Sequence, residues 1–507
     1  MSKVSELRSV DADYLTHRQM WDEIDACNNG AKAVVSLVSS LPSPSYTKSN
    51  CGYRFDHLDE EDRLAAQNYA HNRDLANAIR REEYWKRGRF FNATGRTVES
   101  FHGMIWSNGA EVSLSPKMEV IAEDINGEGI SLDELAKDIT YELIKNGRHG
   151  CLSDMPKTDR QLTSAEQEMP EYRPRIISYE AKDILKAVVM GGRLVDVRLN
   201  EVHTVKDNGS NFLYKDVCYT RRLVLDEGVY SNELYDEEDE LIESSTPRAN
   251  GKPLNFIPFV IYGSDSNSHG YSKPPMFDLA HLNLGHFVLD CDNRDNLHYH
   301  GQGMTNVFTG MEQYEFDSLN PAGLDTGAKG KNMFKQGDKV ELLQVDATGA
   351  IPAEMERDQE RMIQAGAQVV QSNSSTMTLG QKRIESGSSL STLARISENT
   401  SEGLKRNLEY LAMFAGSPVG DTYSVNNKFI TDEMTPELLN AHMSLVQGGV
   451  LPASTLNDSA RKAGLTRLDN DAIKEKLLEE SDSMTGISER EAALMAELDA
   501  LKSQIGQ

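Results

Sequence analysis

The stretch PPMFDLAHLNLGHFVLD, from Pro274 to Asp290, opens the part of the chain that decides the fold. Its apolar residues recur at the three-and-four spacing of one helical face, and Pro275 suits a first helical turn. The apolar residues on that face are Phe277, Ala280, Leu284, Phe287 and Val288. The pattern predicts a long helix that ends near Gly301 and Gly303.

An insert follows this helix. Residues 306–308 form a short apolar stretch, and residues 339–345 (KVELLQV) read as a second strand. The segment between them, up to Asp338, is rich in Gly, Asn and Lys and is typical of loops. The sequence therefore predicts a hairpin-like insert.

Two further helices follow the insert. Pro352 begins the first, at residues 354–371. Residues 371–389 are rich in Ser, Thr and Gly, too polar to bury a core, and are predicted to form a mobile loop. Leucines at helical spacing predict a long helix from Leu390 that stops at Gly416. This order of helix, insert, helix, loop and helix suits a ring subunit that lines a channel.

Several strings in the same order resemble the portal proteins of tailed double-stranded DNA bacteriophages. They cover roughly Tyr84 to Asp471. The strings are EYRPRIISYEAKDIL at 171–185, IPFVIYG at 257–263 with PPMFDLAHLNL at 274–284, LHYHGQGMTNVFTG at 297–310, and NKF at 427–429 with GGVLPAST at 448–455. The resemblance implies an α+β, predominantly helical chain that assembles as a ring, with about twelve copies.

The resemblance also implies a division of the chain into wing, stem, clip and crown. The implied segments are the wing at 1–272, a first stem helix at 273–302, the clip at 303–350, a second stem helix at 351–372, a tunnel loop at 373–389, a wing return helix at 390–429 and the crown at 430–507.

A portal forms a ring at one vertex of the capsid. By resemblance, this chain would be part of the virion, assembled in the host cytoplasm, and would form the channel through which DNA is packaged and ejected. Its implied partners are other copies of itself, double-stranded DNA bound without regard to sequence, the terminase large subunit, head–tail adaptor and tail proteins, and the major capsid and scaffold proteins. No membrane is implied.

Two groups of basic residues are candidate contact sites. In the tunnel loop, Lys382 and Arg383 would make transient contacts to DNA phosphates, which carry no sequence information. In the clip, Lys329, Lys331 and Lys335 would offer positive charge to an acidic partner or to passing phosphates. The alternative interpretation of the clip lysines is a solvated loop.

The composition sets independent bounds. The chain has 507 residues, of which 38% are hydrophobic, and no stretch approaches the roughly 20 apolar residues that span a bilayer. The first residues lack the apolar core of a secretory signal. The five cysteines lie far apart, so they are expected to be reduced thiols rather than a disulfide framework or a zinc site.

The formal net charge of −26 argues against a protein that coats DNA by neutralising phosphates. A channel through which DNA slides should not bind DNA tightly, and a negatively charged wall gives the negatively charged duplex no strong binding site. Screening limits that effect to close approach, since the Debye length is about 8 Å at physiological salt. The alternative explanation is that the acidity only keeps a large protein soluble.

The rest of the chain gives coarser predictions. The wing should contain a helix at 60–87, another helix capped by Ser131 with Glu134 three residues on, and an acidic turn at 236–243. Its predicted strands are 193–199, 216–225 and 256–262. Within the implied wing, the first 50 residues match no part of the family pattern and are candidates to reach outward to an adaptor or the capsid. The C-terminal leucines from Leu494 form a short coiled-coil seam or an ordinary amphipathic helix.

Catalytic, cofactor and metal sites are not expected. The chain has no P-loop and no Gly-x-Ser-x-Gly motif, so any packaging energy must come from a separate motor. His281 and His286 are five residues apart and point to different faces of a helix, and His298 and His300 lack further ligands at recognisable spacing. Two alternatives remain, another ring-forming head–tail adaptor and a cytosolic hydrolase with an unrecognised site.

Overall fold

The computed structural model describes residues 7–38, 84–156, 169–206, 213–249, 251–301, 304–320, 332–343, 349–366 and 379–427, with short pieces beyond residue 442. The chain divides into two compact units, Met1–Asn427 and Lys428–Gln507. In the second unit, the described pieces include helical turns at 443–446, 454–457 and 472–474. Residues 60–83 of the helix predicted at 60–87 lie outside the described residues. The coiled-coil seam predicted from Leu494 also lies outside them.

The first unit mixes helices and antiparallel sheets. Its helices are α1 (Ala12–Asn29), α2 (Ala31–Val38), α3 (Ala93–Trp106), α4 (Pro116–Ala122), α5 (Leu132–Lys145), α6 (Phe277–Gly301), α7 (Gln313–Leu319), α8 (Ala350–Gln364) and α9 (Leu379–Ala415). Its strands are β1 (Ala110–Ser113), β2 (Arg148–Asp154), β3 (Arg175–Glu180), β4 (Ile184–Met190), β5 (Arg193–Lys206), β6 (Tyr214–Asp226), β7 (Val229–Tyr235), β8 (Leu241–Ser245), β9 (Arg248–Ala249), β10 (Lys252–Pro253), β11 (Phe259–Gly263), β12 (Met304–Phe308), β13 (Lys339–Leu343) and β14 (Thr422–Val425).

Two sheets form the centre of this unit. Strands β4 to β8 pair in sequence order as an antiparallel meander, and β2 lies between β11 and β3 in a three-stranded sheet. The predicted strands at 193–199 and 216–225 are confirmed and are longer than predicted, whereas the strand predicted at 256–262 begins only at Phe259. Alternate residues of β7 are buried, as expected for a sheet with one face on a core.

An apolar core lies between the two sheets. Its buried members are Leu152, Tyr179, Ile184, Val197, Leu199, Leu223, Tyr230, Leu254, Ile257, Phe259 and Ile261. Gly150 on β2 makes the packing possible, because an added Cβ there would lie 2.9 Å from the Cδ1 atom of Ile184. Burial of this apolar surface is the main stabilising contribution of the sheets.

The N-terminal helix α1 belongs to the body of the unit. The indole of Trp21 is buried and donates its N–H to the Asn146 carbonyl at 3.0 Å. The Asp25 carboxylate lies between the ammonium groups of Lys145, at 3.0 Å, and Lys182. The expectation that this region reaches outward is therefore wrong for the described residues 7–38, because its aromatic and charged side chains find partners within the chain.

Two local predictions can be compared directly with the structure. The capping box at the start of α5 is confirmed, with Ser131 and Glu134 each accepting a backbone N–H from the other. The acidic segment at 236–243 is a turn only up to Glu240, where Asp236 accepts backbone N–H groups. From Leu241 it becomes the edge strand β8, because pairing with β7 outweighs the local charge.

The long helix α9 is fastened to the three-stranded sheet by buried polar contacts. Tyr262 on β11 donates to the Asn407 side-chain oxygen at 2.7 Å, and Asn407 in turn donates to the Ser153 hydroxyl at 2.9 Å. The Tyr262 ring passes so close to the helix that a Cβ at Gly403 would lie 2.8 Å from its Cζ atom. Asn399 adds a hydrogen bond of 2.7 Å to the Gly263 carbonyl.

The predicted order of helix, insert, helix and long helix is present between Phe277 and Ala415. Strands β12 and β13 pair antiparallel with Val307 opposite Val340, which confirms the hairpin. The loop predicted between them contains the additional short helix α7.

The polar stretch after α8 also differs from its prediction as a loop. Helix α9 begins at Leu379, ten residues before the predicted end of the loop at Ser389. The local sequence Gln-Lys-Arg-Ile-Glu from Gln381 to Glu385 consists largely of good helix formers, which explains the earlier start. Residues 367–378 lie outside the described residues.

Candidate functional site

Helix α6 is about 37 Å long, and the buried side chain of Asn283 is one of the groups that join it to the body. The side-chain oxygen of Asn283 accepts the backbone N–H groups of Ala93 and Thr94, both at 3.2 Å, and the Thr94 hydroxyl at 3.1 Å. Its amide donates to the Phe91 carbonyl at 2.8 Å. Since the first N–H groups of a helix have no partner within that helix, Asn283 completes the N-terminus of α3 and fixes α6 to it.

Acidic residues extend this attachment toward the C-terminal half of α6. Asp290 accepts the Arg89 backbone N–H at 2.7 Å and the Arg294 guanidinium at 2.7 Å. Tyr84 donates its hydroxyl to Asp292 at 2.6 Å, and Arg87 forms an ion pair with Asp295. Each of these acids is therefore neutralised or hydrogen-bonded by the segment 84–89 or by α6 itself.

An apolar contact accompanies these polar ones. The ring of Phe287 lies 6.3 Å from the Trp85 ring, nearly parallel to it. Gly88 lies against the same surface, where a Cβ would be 2.8 Å from the Phe287 ring and would overlap the Cys291 sulfur. Burial raises the pKa of the Cys291 thiol to about 12, so this thiol is a packing group rather than a nucleophile.

Helices α6 and α8 form an antiparallel pair. Gln359 lies 3.3 Å from the His286 ring nitrogen Nε2, whereas Met276 and Ala365 line one cleft at the other end of the pair. Met362 is buried on the contact face of α8. Burial lowers the pKa of His286, although the nearby carboxylates of Asp290 and Asp358 partly oppose this shift.

The histidines whose side chains the structure describes do not form a ligand set. His281 is exposed and lies 3.1 Å from Glu23, while His286 is buried, so the two point to different faces as predicted. Within the described residues, there is no group of three or more His, Cys, Asp or Glu side chains that could hold a metal ion. The side chain of His300 lies outside the described residues.

The insert is organised by one aspartate. Asp338 accepts the Thr309 hydroxyl at 2.9 Å and the Lys335 backbone N–H at 2.8 Å, which closes the turn before β13. Hydrogen bonding lowers the pKa of this carboxyl group although burial opposes it. Asn320, at the end of α7, exchanges two hydrogen bonds with the backbone of Met333, at 2.9 and 3.0 Å. These contacts join α7 to the segment that precedes β13.

Of the five candidate basic residues, only Lys335 has a side chain that the structure describes. Lys335 is exposed and forms an ion pair with Glu315 on α7. Lys329 and Lys331 lie outside the described residues. Lys382 and Arg383 lie near the start of α9, but their side chains are outside the described part of the chain.

A cleft of about 390 Å³ lies where α8 ends and α9 approaches the body. Its wall combines apolar side chains, such as Phe101 and Leu393, with Lys273 and Arg395. Both basic groups are paired, Lys273 with Asp278 on α6 at 2.6 Å and Arg395 with Asp265 at 2.5 Å. Among the described residues that line it, the cleft therefore offers no unneutralised cation for an anionic ligand.

Comparisons with known proteins found a family model and solved structures that are similar to this chain. A family model described as "Domain of unknown function (DUF4055)" matches residues 275–415, which run from the start of α6 to the end of α9. A solved structure, the neck of an empty GTA particle computed with C6 symmetry, is similar with 10% identity and a TM-score of 0.38, covering 75% of this chain and 92% of that one. No curated protein matches the chain.

Among the described helices, none is long and apolar enough to cross a bilayer.

The residues that hold α6 in place were not predicted from the sequence. Asn283 and Asp290 follow Ala280 and Phe287 at spacings of three, four and three, so these polar residues lie within the apolar stripe of the helix. A polar residue within such a stripe predicts a buried hydrogen-bond partner. The polar residues in the stripe were visible in the sequence, but the hydrogen-bond partners of Asn283 lie some 190 residues earlier in the chain.

Proposed function

We propose that this chain is a portal subunit, which assembles as a ring at one capsid vertex and forms the channel for packaging and ejection of double-stranded DNA. The observation that carries the proposal is the arrangement of residues 277–415. An antiparallel helix pair, α6 and α8, is joined by the hairpin β12–β13, and α9 then returns along the body. This arrangement matches the stem, clip and wing return that the sequence resemblance implies.

The anchoring of α6 suits a load-bearing channel wall. Polar contacts from residues 84–94 fix the rotation of α6 as well as its position, because a hydrogen bond is directional where an apolar contact is not. The opposite face of α6, around Gly285, is exposed, and an added Cβ there meets no atom within 4 Å. This face is free for the channel or for the neighbouring subunit.

The net charge of −26 supports a channel that does not hold DNA tightly. Within this mechanism, Lys382 and Arg383 supply transient phosphate contacts near the start of α9. We expect a mechanical role without catalysis or cofactor. The terminase large subunit supplies the packaging energy, and the clip docks it and later the head–tail adaptor and tail. Capsid and scaffold proteins contact the outside of the ring.

Electron microscopy of the purified protein tests the assembly. End-on views should show a ring of about twelve subunits with a central hole wide enough for a duplex of about 20 Å. Particles that remain small and without a hole at all protein concentrations would refute the proposal and favour the hydrolase alternative. A ring of much smaller subunit number without a through-channel would favour an adaptor.

Packaging assays test the proposed phosphate contacts. The variant Lys382→Ala/Arg383→Ala should form normal rings but package or retain less DNA. The same helix offers a matched control in the adjacent pair Lys405 and Arg406, whose side chains are exposed. Lys405→Ala/Arg406→Ala should package normally, and equal packaging by both variants would remove Lys382 and Arg383 from the mechanism.

A further inference from the structure

The five-stranded sheet ends in an edge strand, β8. It pairs with β7 on one side, and no strand in the described part of the chain pairs with its other side. An edge strand presents backbone N–H and C=O groups that can hydrogen-bond to an added strand. Four of the five residues of β8 are exposed, and the strand is about 17 Å long. This edge can therefore serve as a template for a short extended peptide.

Two apolar side chains are exposed on this edge. Leu241 is 53% exposed and Ile242 is 57% exposed. Leu241 lies opposite Tyr235 of β7, whereas Ile242 falls at a register shift between the two strands. Charges and bulges can protect an edge strand against pairing, but adjacent exposed leucine and isoleucine side chains favour contact with a further strand. They give an added strand an apolar surface to cover.

The charge around β8 is of one sign and selects the kind of strand that can be added. Residues 236–243 contain six acids, and residues 226–245 contain no lysine or arginine. A second copy of this edge would bring acids opposite acids, and like charges directly opposite each other destabilise a strand pair. The same charge disfavours nucleic acid. An extended segment rich in lysine or arginine is the partner whose charge complements this edge.

The opposite edge of the sheet is different. Strand β4 contains Lys186 and no acid. The Lys186 ammonium group lies 3.0 Å from the carboxylate of Asp11, the residue that precedes α1. This edge is thus in contact with the N-terminal part of the chain and does not attract a basic segment. It provides a control within the same sheet.

We propose that β8 is a docking site for a lysine- or arginine-rich extended segment of another protein, which adds to the five-stranded sheet as a further strand. The backbone of the added strand pairs with β8, its apolar side chains cover Leu241 and Ile242, and its basic side chains meet the acids at 236–243. Backbone pairing supplies the affinity of such a complex, and the side chains supply its specificity. The proposal does not depend on ring assembly.

A synthetic peptide tests the docking. The probe is a short, acetylated and fluorescently labelled peptide of alternating lysine and valine, and fluorescence anisotropy measures its binding to the full-length protein. Leu241→Ser/Ile242→Ser should weaken binding by about tenfold or more, because the variant loses the apolar contact. Val189→Ser/Met190→Ser, at exposed positions of β4, should leave the affinity unchanged. Equal affinity of the two variants would overturn the proposal.

Two further measurements separate strand pairing from simple attraction between charges. Glu237→Lys/Glu240→Lys should weaken binding by about tenfold or more. Glu356→Lys/Glu360→Lys, an exposed pair on α8, changes the net charge equally and should not. A probe with N-methylated backbone amides keeps its charge but loses its N–H donors, so it should also bind more weakly than the unmethylated probe. Equal binding of the methylated and unmethylated probes, or equal losses in the two lysine variants, would overturn the proposal.

A second copy of this chain is the alternative occupant of the edge. Mass photometry without peptide should give the same particle masses for Leu241→Ser/Ile242→Ser as for the unchanged protein. Smaller particles for the variant would assign the β8 edge to contacts between copies and would overturn the proposal.

Discussion

Replacement of Asn283 by alanine should detach the long helix α6 from the body of the protein. Three donors converge on its side-chain oxygen, the backbone N–H groups of Ala93 and Thr94 and the Thr94 hydroxyl, and its amide donates to Phe91. Alanine removes all four hydrogen bonds while the first two N–H groups stay buried. We expect the chain to fold, but with α6 and the N-terminus of α3 poorly joined.

The magnitude follows from the groups left without partners. A buried donor that loses its acceptor costs about 1–3 kcal/mol. The Thr94 N–H loses its acceptor in this variant, whereas the Ala93 N–H keeps a second acceptor, the Phe91 carbonyl, at 2.8 Å. With about 1 kcal/mol more for the other hydrogen bonds that are lost, the total should be about 2–4 kcal/mol, which is a large part of the 5–15 kcal/mol typical of a folded protein. Asn283→Asp keeps the acceptor atoms but loses the donor to Phe91, so it should cost less than alanine.

Urea unfolding followed by tryptophan fluorescence measures this loss. All three tryptophans (Trp21, Trp85 and Trp106) belong to the first unit, and Trp85 packs near Phe287 on α6. Asn296, exposed on the same helix, provides the control, and Asn296→Ala should change the free energy of unfolding by less than about 0.5 kcal/mol. A loss below about 1 kcal/mol for Asn283→Ala would refute the view that this residue is the main polar anchor.

Further predictions concern packing, pH and assembly. Gly403→Ala should lower the free energy of unfolding by about 1–3 kcal/mol, because its Cβ would overlap the Tyr262 ring, and urea unfolding measures this. Burial lowers the pKa of His149 to about 3. The unfolded chain therefore binds a proton at higher pH than the folded chain does, near the ordinary histidine pKa of about 6.5. The free energy of unfolding should decrease as the pH is lowered from about 6.5, by up to about 1.4 kcal/mol per pH unit. His149→Gln should reduce that slope in urea titrations at pH 7, 6 and 5, and an unchanged slope would contradict the assignment. Gly285→Leu should reduce ring yield in electron micrographs, whereas Gly103→Leu, at an exposed helical glycine with equally open surroundings, should not.

Local patterns predicted much of the fold because they report burial and capping directly. The alternation in the sheet, the Ser131 and Glu134 box and the hairpin of the insert each depend on residues close in sequence. Contacts between distant segments left no such pattern. Strand β1 pairs with β14, with Ala110 opposite Val425, and neither four-residue strand identifies the other from sequence.

The order of the elements in the candidate site was predicted from the sequence, but the contacts that hold these elements in place were not. The order of helices and insert follows from apolar spacing and from prolines and glycines, which act locally. The start of α9 was placed too late because a run of Ser, Thr and Gly from 371 outweighed the helix formers that follow it. The short helix α7 was missed because only seven residues form it, and its links to Met333 are not visible in sequence.

The polar anchors of α6 explain why its exposed face stays exposed. Leucines and valines occur around most of this helix, and Leu282, Val288 and Leu289 are all only partly buried. An apolar surface alone would let the helix rotate to bury these residues and expose others at similar cost. Asn283 and Asp290 prevent that rotation, since turning them away from residues 89–94 leaves buried polar groups without partners. The hydrogen bonds thus select one rotation of the helix, and the face around Gly285 is left for contacts outside the chain.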